Sequence, residues 1–338
     1  MKTEKTEKSQ MTENQWNVLR KQGYRQVGNH SAVKTCGWTK NSIANKGACY
    51  KQKFYGINSH QCLQMTTSMF CASRCKFCWR GQKAPVFDKW YGKIDNPKEI
   101  IENSINEHLK LLQGFKGEKE RNKQVKDVNK KLVSQMQSIK HVALSLTGEP
   151  ITYPKINEIL EEFHKRKIST FLVTNAQYPE QIEKIKDVTQ LYLSIDAPNK
   201  ELLKKIDRPL FKDYWEKMLG CLDILKTRKY RTCIRLTLIK NENMIEPENY
   251  AELIKCGSPD FIELKSYVWV GESQKNYKVQ NMPRMNEIMG FANKLLSHLP
   301  DYKYTDKHIP SRAVLLMKKS IKTPKINFEE FFANLKNN

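Results

Sequence analysis

The chain has 338 residues, of which 39% are hydrophobic and 28% charged, enough to bury one large domain or two modest ones and unlike a disordered chain. Its 59 Lys and Arg against 36 Asp and Glu leave a net charge of +23, a field that favours nucleic acid, although a lysine-rich composition alone would give the same excess. The polar start 1-MKTEKTEKSQMTENQ-15 resembles no signal peptide and no apolar run is long enough to span a bilayer, so a cytoplasmic protein without membrane contact is expected.

Six of the nine cysteines fall between residues 36 and 78. An odd total without a secretory signal argues against a disulfide framework. Cys36, Cys49 and Cys62 are spaced C-x12-C-x12-C, in a segment of Lys, Tyr, Asn and Gly that does not read as core. Cys71, Cys75 and Cys78 follow as C-x3-C-x2-C in 68-SMFCASRCKFCWRG-81. A structural zinc wants four ligands in a closed tetrahedron, yet no second C-x2-C or H-x3-H stands nearby. A [4Fe-4S] cluster on three thiolates would keep one iron open for another ligand. Cys221, Cys233 and Cys256 read as small buried hydrophobes. Lys51, two residues after Cys49, can steer a carboxylate or form a Schiff base with a keto acid; the bland reading is one more lysine beside Lys46 and Lys53.

The stretch 110–132 is polar and mostly basic and predicts a solvated helix or helix-loop insertion, with nucleic-acid phosphate as the sharper alternative for Lys116, Lys119, Arg121 and Lys123. Short β-branched runs recur at 141–148, 168–175, 189–196, 231–239 and 260–268. Between them lie amphipathic stretches, among them 155–167, with Ile156, Ile159, Leu160 and Phe163 at helical spacing, and 214–229. This alternation predicts an α/β fold with parallel strands; a partial (β/α)6 barrel is favoured over an open doubly wound sheet. The tail 317–338 is basic, then weakly amphipathic. In such barrels chemistry gathers at the C-terminal strand ends. Gly148 and Glu149 end the first run, Thr174 and Asn175 the next, Ser194 and Asp196 the one after; each reads otherwise as a strand-terminal cap.

These residues carry a resemblance. The C-x3-C-x2-C spacing with Phe77 before the last cysteine resembles radical S-adenosylmethionine enzymes. With 35-TCGWTK-40, 49-CYKQKFYGI-57 and 61-QCLQMT-66 upstream, and 145-SLTGEP-150, 171-FLVTNA-176, 191-LYLSIDA-197, 233-CIRLTLI-239 and 261-FIELKSY-267 downstream, the chain resembles the 4-demethylwyosine synthases over nearly its whole length. It departs in a connection from Cys62 to Cys71 about one residue short, and in Asn-Ala at 175–176 where Asn-Gly is usual.

The resemblance implies two [4Fe-4S] clusters, one on Cys71, Cys75 and Cys78 that binds S-adenosylmethionine, and one on Cys36, Cys49 and Cys62 that binds pyruvate. It assigns Glu149 to the amino group of S-adenosylmethionine and singles out Lys51 beside pyruvate, where an open iron, already a bidentate seat, tilts the choice toward an electrostatic role. Gly148, Thr174, Asn175, Ser194 and Asp196 are the remaining cofactor-binding candidates. It implies condensation of pyruvate with N1-methylguanosine beside the anticodon of phenylalanine tRNA. It implies a stand-alone chain of the archaeal type, expected as a monomer with a separate flavodoxin- or ferredoxin-type electron donor. The expected layout is an N-terminal cluster-binding extension over 1–69, the barrel over 70–300 and a C-terminal extension over 301–338. A radical enzyme acting on a peptide, or a zinc-stabilised RNA-binding protein without catalysis, remains open at this level.

Overall fold

The computed structural model describes residues 9–80, 85–115 and 130–335. Ten strands form one mixed sheet in the order β1-β2-β3-β4-β5-β6-β7-β8-β10-β9. They are β1 (Arg25–Val27), β2 (Ser31–Val33), β3 (Cys62–Thr66), β4 (His141–Leu144), β5 (Ser169–Thr174), β6 (Gln190–Ser194), β7 (Arg231–Leu238), β8 (Phe261–Ser266), β9 (Tyr302–His308) and β10 (Ala313–Lys318). All five pairings from β3 through β8 are parallel. Parallel neighbours need a crossover, and helices such as Pro97–Leu111, Ile156–Lys165 and Pro247–Gly257 supply them. This is the partial (β/α)6 arrangement expected. It does not close, because β2 and β10 add antiparallel strands at its two edges.

All five predicted strands are present as β4 to β8, and the helices form at Ile156–Lys165 and Tyr214–Lys226. Ile156, Ile159, Leu160 and Phe163 are all buried, each contributing about 1.5–3 kcal/mol by leaving water. The sheet itself extends further than the sequence pattern marked. Its first parallel strand, β3, lies within 1–69, and β9 and β10 carry the same sheet through residue 318. The tail then ends in a helix, Phe328–Asn334. Lys116, Lys119, Arg121 and Lys123 lie outside the described residues.

Two faces of the sheet have different fillings, as strand alternation requires. Leu172, Leu191, Ile234, Ile262 and Leu264 pack outward against the helices. Phe171, Tyr192, Cys233, Phe261 and Leu315 turn inward and meet Tyr50, Phe54 and Tyr55 of the helix Tyr50–Tyr55, which is seated against the concave face. Cys221 and Cys233 are buried as expected, whereas Cys256 is only half-buried, with Sγ 3.3 Å from Asp223. His30 fastens the N-terminal segment. Its Nδ1 lies 2.7 Å from the Thr67 carbonyl, and its Nε2 accepts the Asp95 N–H at 3.1 Å, so the ring is a neutral Nδ1–H tautomer. Among the described residues no helix is long and apolar enough to cross a membrane.

Candidate active site

Cys71, Cys75 and Cys78 lie on the loop that follows β3. The loop is tied to the rest of the chain by backbone bonds: the Arg74 N–H donates to the Asp207 carbonyl at 2.9 Å and the Lys76 N–H to the Ile206 carbonyl at 2.8 Å. Burial pushes the Cys71 thiol up to about 11, and Cys75 rises further through burial, the Asp207 carboxylate and the other two thiols. Two such thiols resist ionising by themselves; multivalent cations beside them reverse that cost. Arg80 is buried beside all three sulfurs. Burial alone would lower its pKa, but the thiolates of Cys71, Cys78 and Cys75 outweigh that and raise it.

Glu149 stands directly behind this loop. Its Oε2 accepts the Asn175 N–H at 3.0 Å, and Asn175 Nδ2 in turn lies 3.3 Å from Cys71 Sγ. Burial lifts the Glu149 carboxyl to about 7, against the opposing pull of that N–H and of Arg80. Thr174 also draws on this carboxylate, and among the described residues Glu149 Oε1 and the buried Ser68 hydroxyl have no close hydrogen-bond partner. Buried polar atoms are rarely left unpaired unless something else fills their demand. A donor-rich amino acid group between Glu149 and the cysteine loop meets that demand, so these residues fit S-adenosylmethionine. Gly148 lets the chain approach: its φ is +67°, and a Cβ there would lie 1.9 Å from the Ser68 carbonyl oxygen. Ala176, in the place usual for glycine, nonetheless holds φ +57°.

Asp196 Oδ1 accepts the Thr237 N–H at 3.2 Å, and burial raises its carboxyl to about 6. It interacts with Asp207, a buried carboxylate beside Cys75 that the sequence did not single out, and both acids act on Cys75. Ser194 stands half-buried at the end of β6, opposite Arg235 in register, and takes part in none of these bonds.

The upstream trio is assembled by three element starts. Cys36 and Cys49 precede the helices Gly37–Ile43 and Tyr50–Tyr55, and Cys62 opens β3. The three line one cavity of about 400 Å³ inside the curved sheet, together with Lys51 and with Phe77 and Trp79 of the other cysteine loop. Burial pushes Cys49 and Cys62 up to about 12, helped by Cys36 and opposed by Lys51. Among the described residues no three Cys, His, Asp or Glu side chains are drawn together as a ready single-ion site. Three sulfurs facing one cavity do suit a multi-iron cage.

Lys51 is buried, 7% exposed, with Nζ 4.4 Å from the centre of the Tyr192 ring and 4.8 Å from that of Phe171. Burial lowers its pKa; Glu263 and the thiolates oppose this, while Arg235 adds to it. Arg235 and Lys265 complete the cavity wall. Sequence reading passed over both, and Glu263, because they sit within strands taken as core. The available signal was a charge at alternate positions, Arg235, Glu263 and Lys265, that face inward once the sheet curves.

Comparison with known proteins agrees with this geometry. Residues 65–254 match the radical SAM superfamily and residues 256–318 match a family described as wyosine base formation. Over 306 residues the chain is 45% identical to the S-adenosyl-L-methionine-dependent tRNA 4-demethylwyosine synthase TYW1 of Xenopus laevis, covering 90% of this chain and 41% of that protein. The corresponding synthase of Oryza sativa subsp. japonica is 44% identical, with 89% and 45% covered. The chain thus spans less than half the length of these curated relatives. The structure of TYW1 with a lysine-pyruvate adduct bound superposes with a TM-score of 0.82 at 37% identity, covering 94% of this chain and 99% of that one. The crystal structure of archaeal TYW1 gives 0.75 at 34%, covering 94% and 100%. With the cysteine loop, the acid behind it and the lysine-bearing cavity all in place, the chain belongs to the radical SAM superfamily and, within it, to the TYW1 family.

Proposed function

We propose that the protein is a tRNA 4-demethylwyosine synthase, joining pyruvate to N1-methylguanosine beside the anticodon of phenylalanine tRNA. One observation carries this reading: Lys51 and the upstream cysteines share a single cavity with Phe77 and Trp79 of the second cysteine loop. Cys71, Cys75 and Cys78 would hold one [4Fe-4S] cluster, and Cys36, Cys49 and Cys62 a second. A reduced cluster with S-adenosylmethionine supplies a 5′-deoxyadenosyl radical, able to take hydrogen from an unactivated methyl group.

The chain's own share is placement. Glu149 receives the amino group of S-adenosylmethionine, and Asn175 fixes that carboxylate through its N–H while its Nδ2 braces Cys71. Gly148, Thr174, Ser194 and Asp196 are the positions we assign to the amino acid and ribose portions. Lys51 acts as a nucleophile: its amine adds to C2 of pyruvate, the carbonyl oxygen leaves as water and a C=N bond remains. The lysine-pyruvate adduct in the related TYW1 supports this over the purely electrostatic role, and so does the burial that lowers the Lys51 pKa toward the free amine. Enclosure by the sheet keeps water from the reacting carbons. Electrons come from a flavodoxin- or ferredoxin-type donor, and the reaction takes place in the cytoplasm, where tRNA is modified.

Incubating reduced protein with S-adenosylmethionine, pyruvate and N1-methylguanosine-containing tRNA, then digesting the tRNA for mass spectrometry, tests the reading. The tricyclic nucleoside is the expected product. Cofactor cleavage that tRNA does not enhance, with the nucleoside unchanged, would point instead to another substrate class such as a peptide.

A further inference from the structure

Lys51, Arg235 and Lys265 face the cavity, and Glu263 is the buried carboxylate among them. Glu263 gives both oxygens to tyrosines, accepting from Tyr50 at 3.0 Å and from Tyr55 at 2.8 Å. Among the described residues it makes no ion pair with any of the three cations. Lys51 reacts as a neutral amine, which leaves Arg235 and Lys265 as the basic groups of the cavity wall able to receive an anion from outside the protein.

Position narrows the choice of cations that receive it. An amine that attacks C2 of a 2-oxo acid cannot also hold the neighbouring carboxylate, so Lys51 is excluded from that duty. Arg235 and Lys265 stand on adjacent parallel strands, where Arg235 pairs with Glu263 and Thr237 with Lys265, and so sit one inward step apart on the same face. Arg235 is braced against the Tyr192 ring, 5.7 Å from its centre, the same ring that Lys51 overlies at 4.4 Å. Lys265 Nζ lies 5.9 Å from the centre of the Tyr50 ring and interacts with Cys49 and Cys36. The two cations therefore flank the space between the Lys51 amine and the upstream sulfurs. A guanidinium fork with an ammonium beside it is suited to a carboxylate.

We infer that Arg235 and Lys265 form a carboxylate clamp that selects a 2-oxo acid over neutral carbonyl compounds. The inference rests on the reading that Lys51 captures such an acid. Equilibrium dialysis of labelled pyruvate against the cluster-reconstituted protein tests it, with unlabelled pyruvamide as the neutral competitor and iron content as the check on folding. Arg235→Gln and Lys265→Gln should each weaken pyruvate binding about 10- to 100-fold. Arg235→Lys and Lys265→Arg should recover part of it, and pyruvamide should compete poorly with pyruvate on the parent. Unchanged pyruvate binding in both Gln variants would overturn the clamp, as would equal competition by pyruvamide. A loss of tRNA binding with pyruvate binding intact would also overturn it, assigning the cations to a phosphate. Borohydride capture on the same samples reports separately on Lys51: binding without capture by the parent removes the imine and leaves the clamp standing.

Discussion

The Lys51 ammonium overlies the ring of Tyr192, 4.4 Å from its centre. Burial in that seat lowers the Lys51 pKa and favours the neutral amine that can attack a carbonyl carbon. Lys51→Arg should therefore lose product formation as completely as Lys51→Ala, since a guanidinium keeps the charge but forms no imine. Borohydride with labelled pyruvate should attach label to a peptide containing Lys51 in the parent and to neither variant. An active Arg variant with no adduct in the parent would return Lys51 to a purely electrostatic role.

Gly148 has no space for a side chain. An alanine there would place Cβ 1.9 Å from the Ser68 carbonyl oxygen, at a φ of +67° that L residues seldom adopt. Overpacking and left-handed strain together should cost about 3 kcal/mol. Denaturant unfolding of Gly148→Ala should show a lower midpoint, together with weaker S-adenosylmethionine binding because Glu149 is displaced. An unaltered midpoint would mean that the Ser68 loop yields freely.

The two trios predict an iron inventory. Anaerobically reconstituted protein should hold about eight irons with matching sulfide. Replacing Cys71, Cys75 and Cys78 by Ala should leave about half and abolish cofactor cleavage. Replacing Cys36, Cys49 and Cys62 should also leave about half, but spare some cleavage while stopping product formation. Iron content indifferent to either replacement would refute the ligand assignment.

Glu149 makes the cofactor-free protein sensitive to pH. Its folded pKa of about 7 lies above the ordinary 4.5, so between those values the folded state retains a proton that the unfolded chain releases. Stability should accordingly fall as pH rises from 4.5 through 7, by roughly 2–3 kcal/mol from this group. Glu149→Gln should remove its own part of that slope, leaving the part from the buried pair Asp196 and Asp207. Urea midpoints at pH 5 and pH 8 measure the difference; equal slopes in parent and variant would show that Glu149 is already ionised.

The loop after β8 exposes Val268, Trp269 and Val270, with Val268 and Val270 at the mouth of the cavity. Trp269 is held by its indole N–H donating to the Tyr277 carbonyl at 2.8 Å. Such a ring offers a stacking platform to a base turned toward the cavity. Trp269→Ala should weaken tRNA binding by about 1–3 kcal/mol while leaving the salt dependence, set by the lysines, unchanged. A shallower salt slope with no loss at low salt would assign the loop no stacking role.

What the sequence disclosed followed physical pattern. β4 to β8 were legible because β-branched runs ended in polar residues, and the helix Ile156–Lys165 because its four apolar residues shared one face. β3 was not, since Cys62 and Gln64 interrupt its apolar content and only its pairing with β4 identifies it as a strand. The six cysteines stood out by spacing, and Lys51 by its place two residues after Cys49 together with the family resemblance. Arg235, Glu263 and Lys265 did not, because their meaning depends on which face of the sheet is concave. Asp207 was hidden for another reason: it lies at the end of the helix Lys200–Asp207 and reaches Cys75 only through tertiary folding.

A single strand gauges the distance between the two sulfur centres. Cys62 opens β3 and Cys71 lies five positions past its last residue, Thr66, so the strand makes up part of the chain path between one ligand of each trio. At the usual rise per residue that strand is roughly 13 Å long. Its parallel bonding to β4 prevents it from stretching or sliding. Any insertion between Cys62 and Thr66 would therefore alter the reach between the centres, whereas lengthening a peripheral loop would not. That gives β3 the character of a calibrated spacer, and its length the character of a kinetic parameter.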